Sequence, residues 1–323
     1  MRSRLLVDFS SISPQPDIIG GVSEPDFAVA PKPETMFAVR AMRFRSLAEG
    51  HPLGDYLSFL GRLCDAQHAI QQGLALPESP DEAALERSAE FGMPPVDRAR
   101  IELGALLDET FLRLLADMET VAAPAQTMAA RARLAADPAL RRTVLAEALE
   151  NSASVDALAE HVFAAAALQV HFARLAAAVG ASRLVPVGAG ACPCCGGAPV
   201  SSLLVSWSAT HGSRYVACGL CGTLWNQVRV RCVICESTKG IAYYALSEEG
   251  EAVEAKPAKR REDEATAKAE TCDACKSYLK IFYQTLDPQA DPVADDVATL
   301  GLDLKVREGG WGRAAFNPFL LGY

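Results

Sequence analysis

Four C-x-x-C units constrain this chain more than any other feature: Cys192/Cys195, Cys218/Cys221, Cys232/Cys235 and Cys272/Cys275. They take eight of the ten cysteines, all within the second half of 323 residues. Two residues between thiolates make a tight knuckle in which both sulfurs reach one ion, and two knuckles complete a tetrahedral four-thiolate shell. Four knuckles therefore predict two sites. Sequential pairing, first with second and third with fourth, closes the shorter loops and costs less chain entropy. Crossed pairing of first with third and second with fourth stays open. Spacing does not choose the metal, because four-thiolate shells suit zinc and iron alike.

Glycine follows the first and second knuckles at Gly196 and Gly222, where it supplies the positive φ that such turns favour. Glu236 and Lys276 stand at the same place after the third and fourth. Cys194, inside the first knuckle, reads as a bystander because four ligands already close a shell. Cys64 lies on an apolar helical stripe with His68 four residues on. It reads as core packing, since cysteine is among the most buried residue types.

Around the knuckles the chain divides into a proline-rich lead, a helical half and a cysteine half. Residues 1–34 are expected to be extended or disordered. Residues 35–182 are rich in Ala, Leu, Arg and Glu and read as an irregular α-helical bundle. Its helices include one from Pro52 to about Gln72, one opened by Pro94-Pro95 and carrying Ile101 to Leu115, and a last one from Val155 to Gly180 capped by Ser154 or Asn151. Residues 183–229 and 230–323 are expected to form two small four-cysteine modules, the second with a C-terminal tail. Their strands are read at Leu203–Val205, Tyr215-Val216, Val228–Val230, Ile241–Tyr244 and Leu279–Tyr283. Glu248 to Glu270 is densely charged and reads as a solvated loop. The tail from Trp311 to Tyr323 is expected to fold back on its own core. The fold class is thus α+β.

Charge and composition narrow the function. The net charge of −9 argues against a broad phosphate-backbone footprint. With 7% aromatics, a base-stacking platform is also disfavoured. No secretory signal and no membrane span is read, and His161 to Ala181 is taken as a buried helix of a soluble, cytoplasmic protein. In that compartment clustered cysteines hold metal rather than disulfides. His51, His68, His161, His171 and His211 fall in no nucleophile, metalloprotease or phosphate-loop pattern, so no catalytic residue is assigned and the chain is not read as an enzyme.

The order of these segments resembles a known family. Phe44-Arg-Ser-Leu-Ala-Glu-Gly-His-Pro-Leu-Gly-Asp-Tyr-Leu57 is similar to its N-terminal signature. Cys192-Pro-Cys-Cys-Gly196 with Cys218-Gly-Leu-Cys-Gly-Thr-Leu-Trp225, and Arg231-Cys-Val-Ile-Cys235 with Glu270-Thr-Cys-Asp-Ala-Cys-Lys-Ser-Tyr-Leu-Lys280, resemble its two metal modules. The closing Asp291-Pro-Val-Ala-Asp-Asp-Val-Ala-Thr-Leu300 and Asn317-Pro-Phe-Leu-Leu321 fit as well. These residues resemble the formate dehydrogenase accessory proteins of the FdhE type. The resemblance implies a cytoplasmic assembly factor that contacts the catalytic subunit of formate dehydrogenase. It also implies iron in two rubredoxin-like centres held by Cys192, Cys195, Cys218, Cys221, Cys232, Cys235, Cys272 and Cys275. Glu236, Cys194 and the charged 248–270 stretch depart from the family pattern and bear on loop geometry more than on ligands.

Overall fold

The computed structural model describes residues 24–152, 154–246, 252–254 and 265–320. A helical domain comes first: α1 (Pro33–Ala48), α2 (Gly54–Ile70), α3 (Glu82–Glu90), α4 (Ala105–Asp117), α5 (Ala125–Ala136), α6 (Pro138–Glu150) and α7 (Leu158–Val179). The proline at the first turn of α1 and α6 presets φ and gives up only an N–H that no helix carbonyl would accept. Asp137 caps α6, accepting from the N–H groups of Ala139 and Leu140. Gly180 ends α7 at φ +77°. Ser154 caps only a short 3₁₀ turn before α7, and Asn151 instead ends α6 in the left-handed region.

Helix α7 is the axis of the bundle. It is long and apolar enough to cross a membrane, yet 89% of its most apolar window is buried against α2, α4, α5 and α6. Its alanines allow that close approach, and Phe163, Leu168, Val170 and Phe172 fill the space between helices. Such packing is the property of a core helix.

In the cysteine half the two four-cysteine units share one sheet. After β1 (Ala28–Val29), the strands are β2 (Pro199–Leu204), β3 (Arg214–Cys218), β4 (Leu224–Asn226), β5 (Ile241–Leu246), β6 (Ala252–Glu254), β7 (Ala267–Cys272), β8 (Ser277–Tyr283) and β9 (Gly312–Arg313). Among the described residues they run β1-β4-β3-β2-β8-β7-β5-β6, with β9 beside β8. A repeat lies within this order. Knuckle, β2, β3, knuckle, β4 matches knuckle, β5, β7, knuckle, β8, and each triplet is an antiparallel meander. The triplets join where β2 pairs in parallel with β8, Ser202 opposite Ile281 and Leu204 opposite Tyr283. Helices α8 (Ala294–Ala298) and α9 (Leu300–Glu308) follow, and the tail returns, Phe316 N–H donating to Pro199 O.

Several expectations change. Residues 24–34 are no loose lead: β1 pairs with β4, Ala28 opposite Trp225. Residues 1–23 lie outside the described part. Pro94-Pro95 does not open a helix, because Val96 and Arg98 donate their N–H groups to the carbonyls of Cys194 and Cys195, and α4 begins only at Ala105. Val228–Val230 is not a strand: Val230 turns to φ +59° immediately before the third knuckle, with Val228 and Val230 exposed. The charged stretch contributes β6 and the start of β7, with Lys268 and Glu270 buried, while 247–251 and 255–264 are outside the described residues. In the tail Phe319 and Leu320 are buried, and Leu321 to Tyr323 are outside the described part.

Buried charge fastens the two halves together. Arg40 on α1 donates to Asp291, and Arg43 to Asp287 and Asp295. On the sheet side Lys280, Asp296, Asp303 and Arg313 form a closed group of two acids and two bases, each nearly inaccessible. Asn317 adds a bond to Asp296. Such groups are tolerated in a core only when balanced and hydrogen-bonded, as here.

Candidate metal centres

The first three knuckles close by the same backbone hydrogen bond. Gly196 N–H donates to Cys192 O, Gly222 to Cys218 O and Glu236 to Cys232 O. The residue after each second cysteine is left-handed: φ is +69° at Gly196, +77° at Gly222, +61° at Glu236 and +53° at Lys276. The turn thus demands the same conformation four times, and glycine meets it only twice.

The turns bring the eight sulfurs into two groups of four, Cys192, Cys195, Cys218 and Cys221, then Cys232, Cys235, Cys272 and Cys275, each within 4.8 Å of one another. This is the sequential pairing. Sulfur–sulfur distances are 3.5 Å for Cys192–Cys221 and Cys195–Cys218, 3.7 Å for Cys232–Cys275 and 3.6 Å for Cys235–Cys272. A tetrahedral ion with metal–sulfur bonds of about 2.3 Å sets its sulfurs about 3.8 Å apart, so both groups fit such an ion. They do not fit disulfides, whose sulfurs lie about 2.05 Å apart.

Electrostatics prepares one sulfur in each group. Burial pushes Cys192 well above the ordinary thiol range. Burial also pushes Cys221 up, but hydrogen bonds from Cys192, Cys194, Cys195 and Cys218 outweigh it and hold that sulfur well below the range. In the second group burial pushes Cys232 up to about 12. There burial opposes Cys275, yet hydrogen bonds from the Ser277 hydroxyl and the thiols of Cys235, Cys232 and Cys272 bring it down to about 7. Cys221 and Cys275 occupy matching places, the last cysteine of each group, and each has a hydroxyl two residues on. Thr223 Oγ1 lies 3.2 Å from Cys221 Sγ and Ser277 Oγ lies 2.9 Å from Cys275 Sγ. Hydrogen-bond partners just outside a shell orient and tune its ligands. Sequence reading missed Thr223 and Ser277, although the recurring Cys-x-Ser/Thr carries the signal.

The surroundings of the first centre include a relay that sequence reading also missed. Gln67 on α2 donates to Gln169 Oε1 on α7 at 3.0 Å, and Gln169 donates to Gly219 O, inside the second knuckle, at 2.8 Å. Gly219 has no room for a side chain, since a Cβ there would lie 2.9 Å from Phe316 O. Cys194 is buried, its thiol raised foremost by its hydrogen bond to Cys221, so it supports the shell from outside. Cys64 lies in the helical core, burial pushing its thiol up to about 12, and belongs to neither group. His161 is likewise buried in the bundle, its Nδ1 2.7 Å from Ala157 O and its Nε2 3.1 Å from Glu147.

A modular sheet spans the two centres. Arg214 on β3 donates to Ser202 on β2, to Glu270 on β7 at 2.8 Å and to Arg231 O beside the third knuckle, and Tyr243 donates to the other oxygen of Glu270.

Fold and site define a class: an α+β protein in which a helical domain carries a duplicated ribbon-type sheet with two four-cysteine centres of metal-binding geometry. Three family models match in series, the FdhE N-terminal domain over 25–189, the FdhE central domain over 191–229 and the FdhE C-terminal domain over 230–320. The chain belongs to the FdhE family. It is 40% identical to a protein FdhE homolog of Rhizobium meliloti over 97% of this chain and 99% of that one. With a protein FdhE of Salmonella choleraesuis it shares 33% identity over 90% of this chain and 89% of the other. The crystal structure of the FdhE protein from Pseudomonas aeruginosa superposes with a TM-score of 0.75 at 32% identity, covering 91% of this chain and 99% of that chain.

Proposed function

We propose that this chain is a cytoplasmic accessory protein for the assembly of active formate dehydrogenase, that it binds the enzyme's catalytic subunit, and that it is not itself an enzyme. The observation that carries this reading is the pair of closed four-sulfur groups in a chain matched along almost its whole length by FdhE family models. Cys192, Cys195, Cys218 and Cys221 hold one ion, and Cys232, Cys235, Cys272 and Cys275 the other. Iron is the proposed occupant and zinc the alternative. The ion in each centre links two knuckles 20 to 40 residues apart, so binding it is part of folding the sheet. Residues 35–182 supply a helical docking surface, and 183–229 and 230–323 are two units of a common frame.

Purification under anoxia, with metal quantification and identification of copurifying proteins, tests the reading. Two ions per chain and recovery of the formate dehydrogenase catalytic subunit are expected, nuclease treatment leaving that recovery unchanged. Recovery of nucleic acid instead, or a chain without bound metal, would overturn it.

A further inference from the structure

The two centres share ligands and turn geometry but not surroundings. Around the first, all four cysteines are buried. The helical domain closes over both knuckles. A Cβ at Gly222 would lie 2.7 Å from Met36 Cε and 3.3 Å from Pro31 Cβ, and one at Gly196 would lie 3.2 Å from Pro94 Cγ. Val96 and Arg98 bind the carbonyls inside the first knuckle, and Gln169 binds the second.

Among the described residues no comparable cover lies over the second centre. Cys235 is exposed and Cys275 half-buried. The side chains flanking them, Glu236, Asp273 and Lys276, are 53%, 58% and 65% exposed. The turn positions carry the same contrast: glycine where the helical domain presses on the knuckle, and Glu236 and Lys276 where the turn meets solvent.

We propose that the second centre is an exchange site, at which an outside donor ligand of the thiolate class enters the metal shell at Cys235, whereas the first centre retains its ion while the helical domain is folded. The inference rests on the metal-binding reading above. With an ion bound, Cys235 would be the ligand that yields its place: an incoming thiol would give up its proton and Cys235 Sγ would take one up through solvent, with no change of oxidation state. A dry shell of protein controls access to a bound ion. That shell is complete around the first centre and open at Cys235.

The test uses the full chain reconstituted under anoxia with zinc, its stoichiometry measured first. Uptake of fewer than two ions would overturn the ligand assignment itself, before any exchange is measured. The loaded protein is then challenged with the chelator pyridylazoresorcinol, with and without glutathione, while N-ethylmaleimide labelling is mapped by mass spectrometry. One equivalent should leave at least about tenfold faster than the other, as expected for unequal access to the two shells. Glutathione should accelerate only the fast phase, and Cys235 and Cys275 should be labelled before Cys192, Cys195, Cys218 and Cys221. Met36→Ala, which thins the cover over Gly222, should speed the slow phase alone. Release of both ions in one phase, first labelling in the first centre, or acceleration of both phases by glutathione would each overturn the proposal.

Discussion

Replacing Lys276 by glycine should stabilise the second centre, although the change removes a side chain and an ion pair. Lys276 holds φ +53°, and its chemically equivalent position in the first centre is Gly222 at +77°. A non-glycine residue in the left-handed region carries about 1–2 kcal/mol of strain, which glycine relieves. Against this stand the extra freedom of glycine in the unfolded chain, about 0.5–1 kcal/mol, and the loss of the Lys276–Asp273 pair. That pair spans 2.8 Å between side chains 65% and 58% exposed, and an exposed pair is worth about 0–1 kcal/mol. The central values leave a gain of about 0.3 kcal/mol. Glu236→Gly should act alike, since Glu236, itself 53% exposed, pairs with the partly exposed Arg231. The reverse exchange, Gly222→Ala, should cost about 1 kcal/mol, because it introduces the strain and sets a Cβ 2.7 Å from Met36 Cε. Urea unfolding at fixed free zinc, followed by circular dichroism, measures all three. Higher midpoints for Lys276→Gly and Glu236→Gly and a lower one for Gly222→Ala are expected. Lower midpoints for both glycine variants would refute the equivalence of the four turns.

Asp296→Ala should cost about 3–5 kcal/mol, because it leaves Lys280 and Arg313 buried with a single carboxylate; a shift in urea stability below about 1 kcal/mol would contradict the closed group. Burial, reinforced by Arg174, lowers His171 to about 4. The unfolded chain therefore binds the extra proton between about pH 6.5 and 4, so this residue's contribution is full above 6.5 and falls as pH drops, by about 2 kcal/mol at pH 5. His171→Asn should flatten the difference in stability between pH 7 and pH 5, and an unchanged difference would contradict the assignment. Cys64, pushed up to about 12, should stay unlabelled by N-ethylmaleimide in the folded protein.

What the sequence made legible was local. Knuckle spacing located both groups of four sulfurs, because two intervening residues leave the chain little choice of turn. The apolar stripe Leu53, Tyr56, Leu57, Leu60, Leu63 and Cys64 located α2, because its period is helical. What stayed hidden depends on distant partners. Nothing in Pro199–Leu204 announces that its parallel neighbour is Ser277–Tyr283, since a strand buried on both faces has no period that names its partner. The ties of Arg40 to Asp291 and of Gln169 to Gly219 cross 251 and 50 positions of chain. Val228–Val230 misled because β-branched residues favour strands, while the entry to the third knuckle forces Val230 to φ +59°.

The parallel seam between β2 and β8 has a consequence for the order of events during synthesis. Each meander closes on neighbours in sequence and can form as it leaves the ribosome, but β2 must wait for a strand that begins at Ser277, and for Phe316 to reach Pro199. Non-local pairing of this kind is slow because the loop must close before any contact rewards it. The first half of the ribbon therefore spends its early life with the β2 edge open, unpaired until the second half has been made.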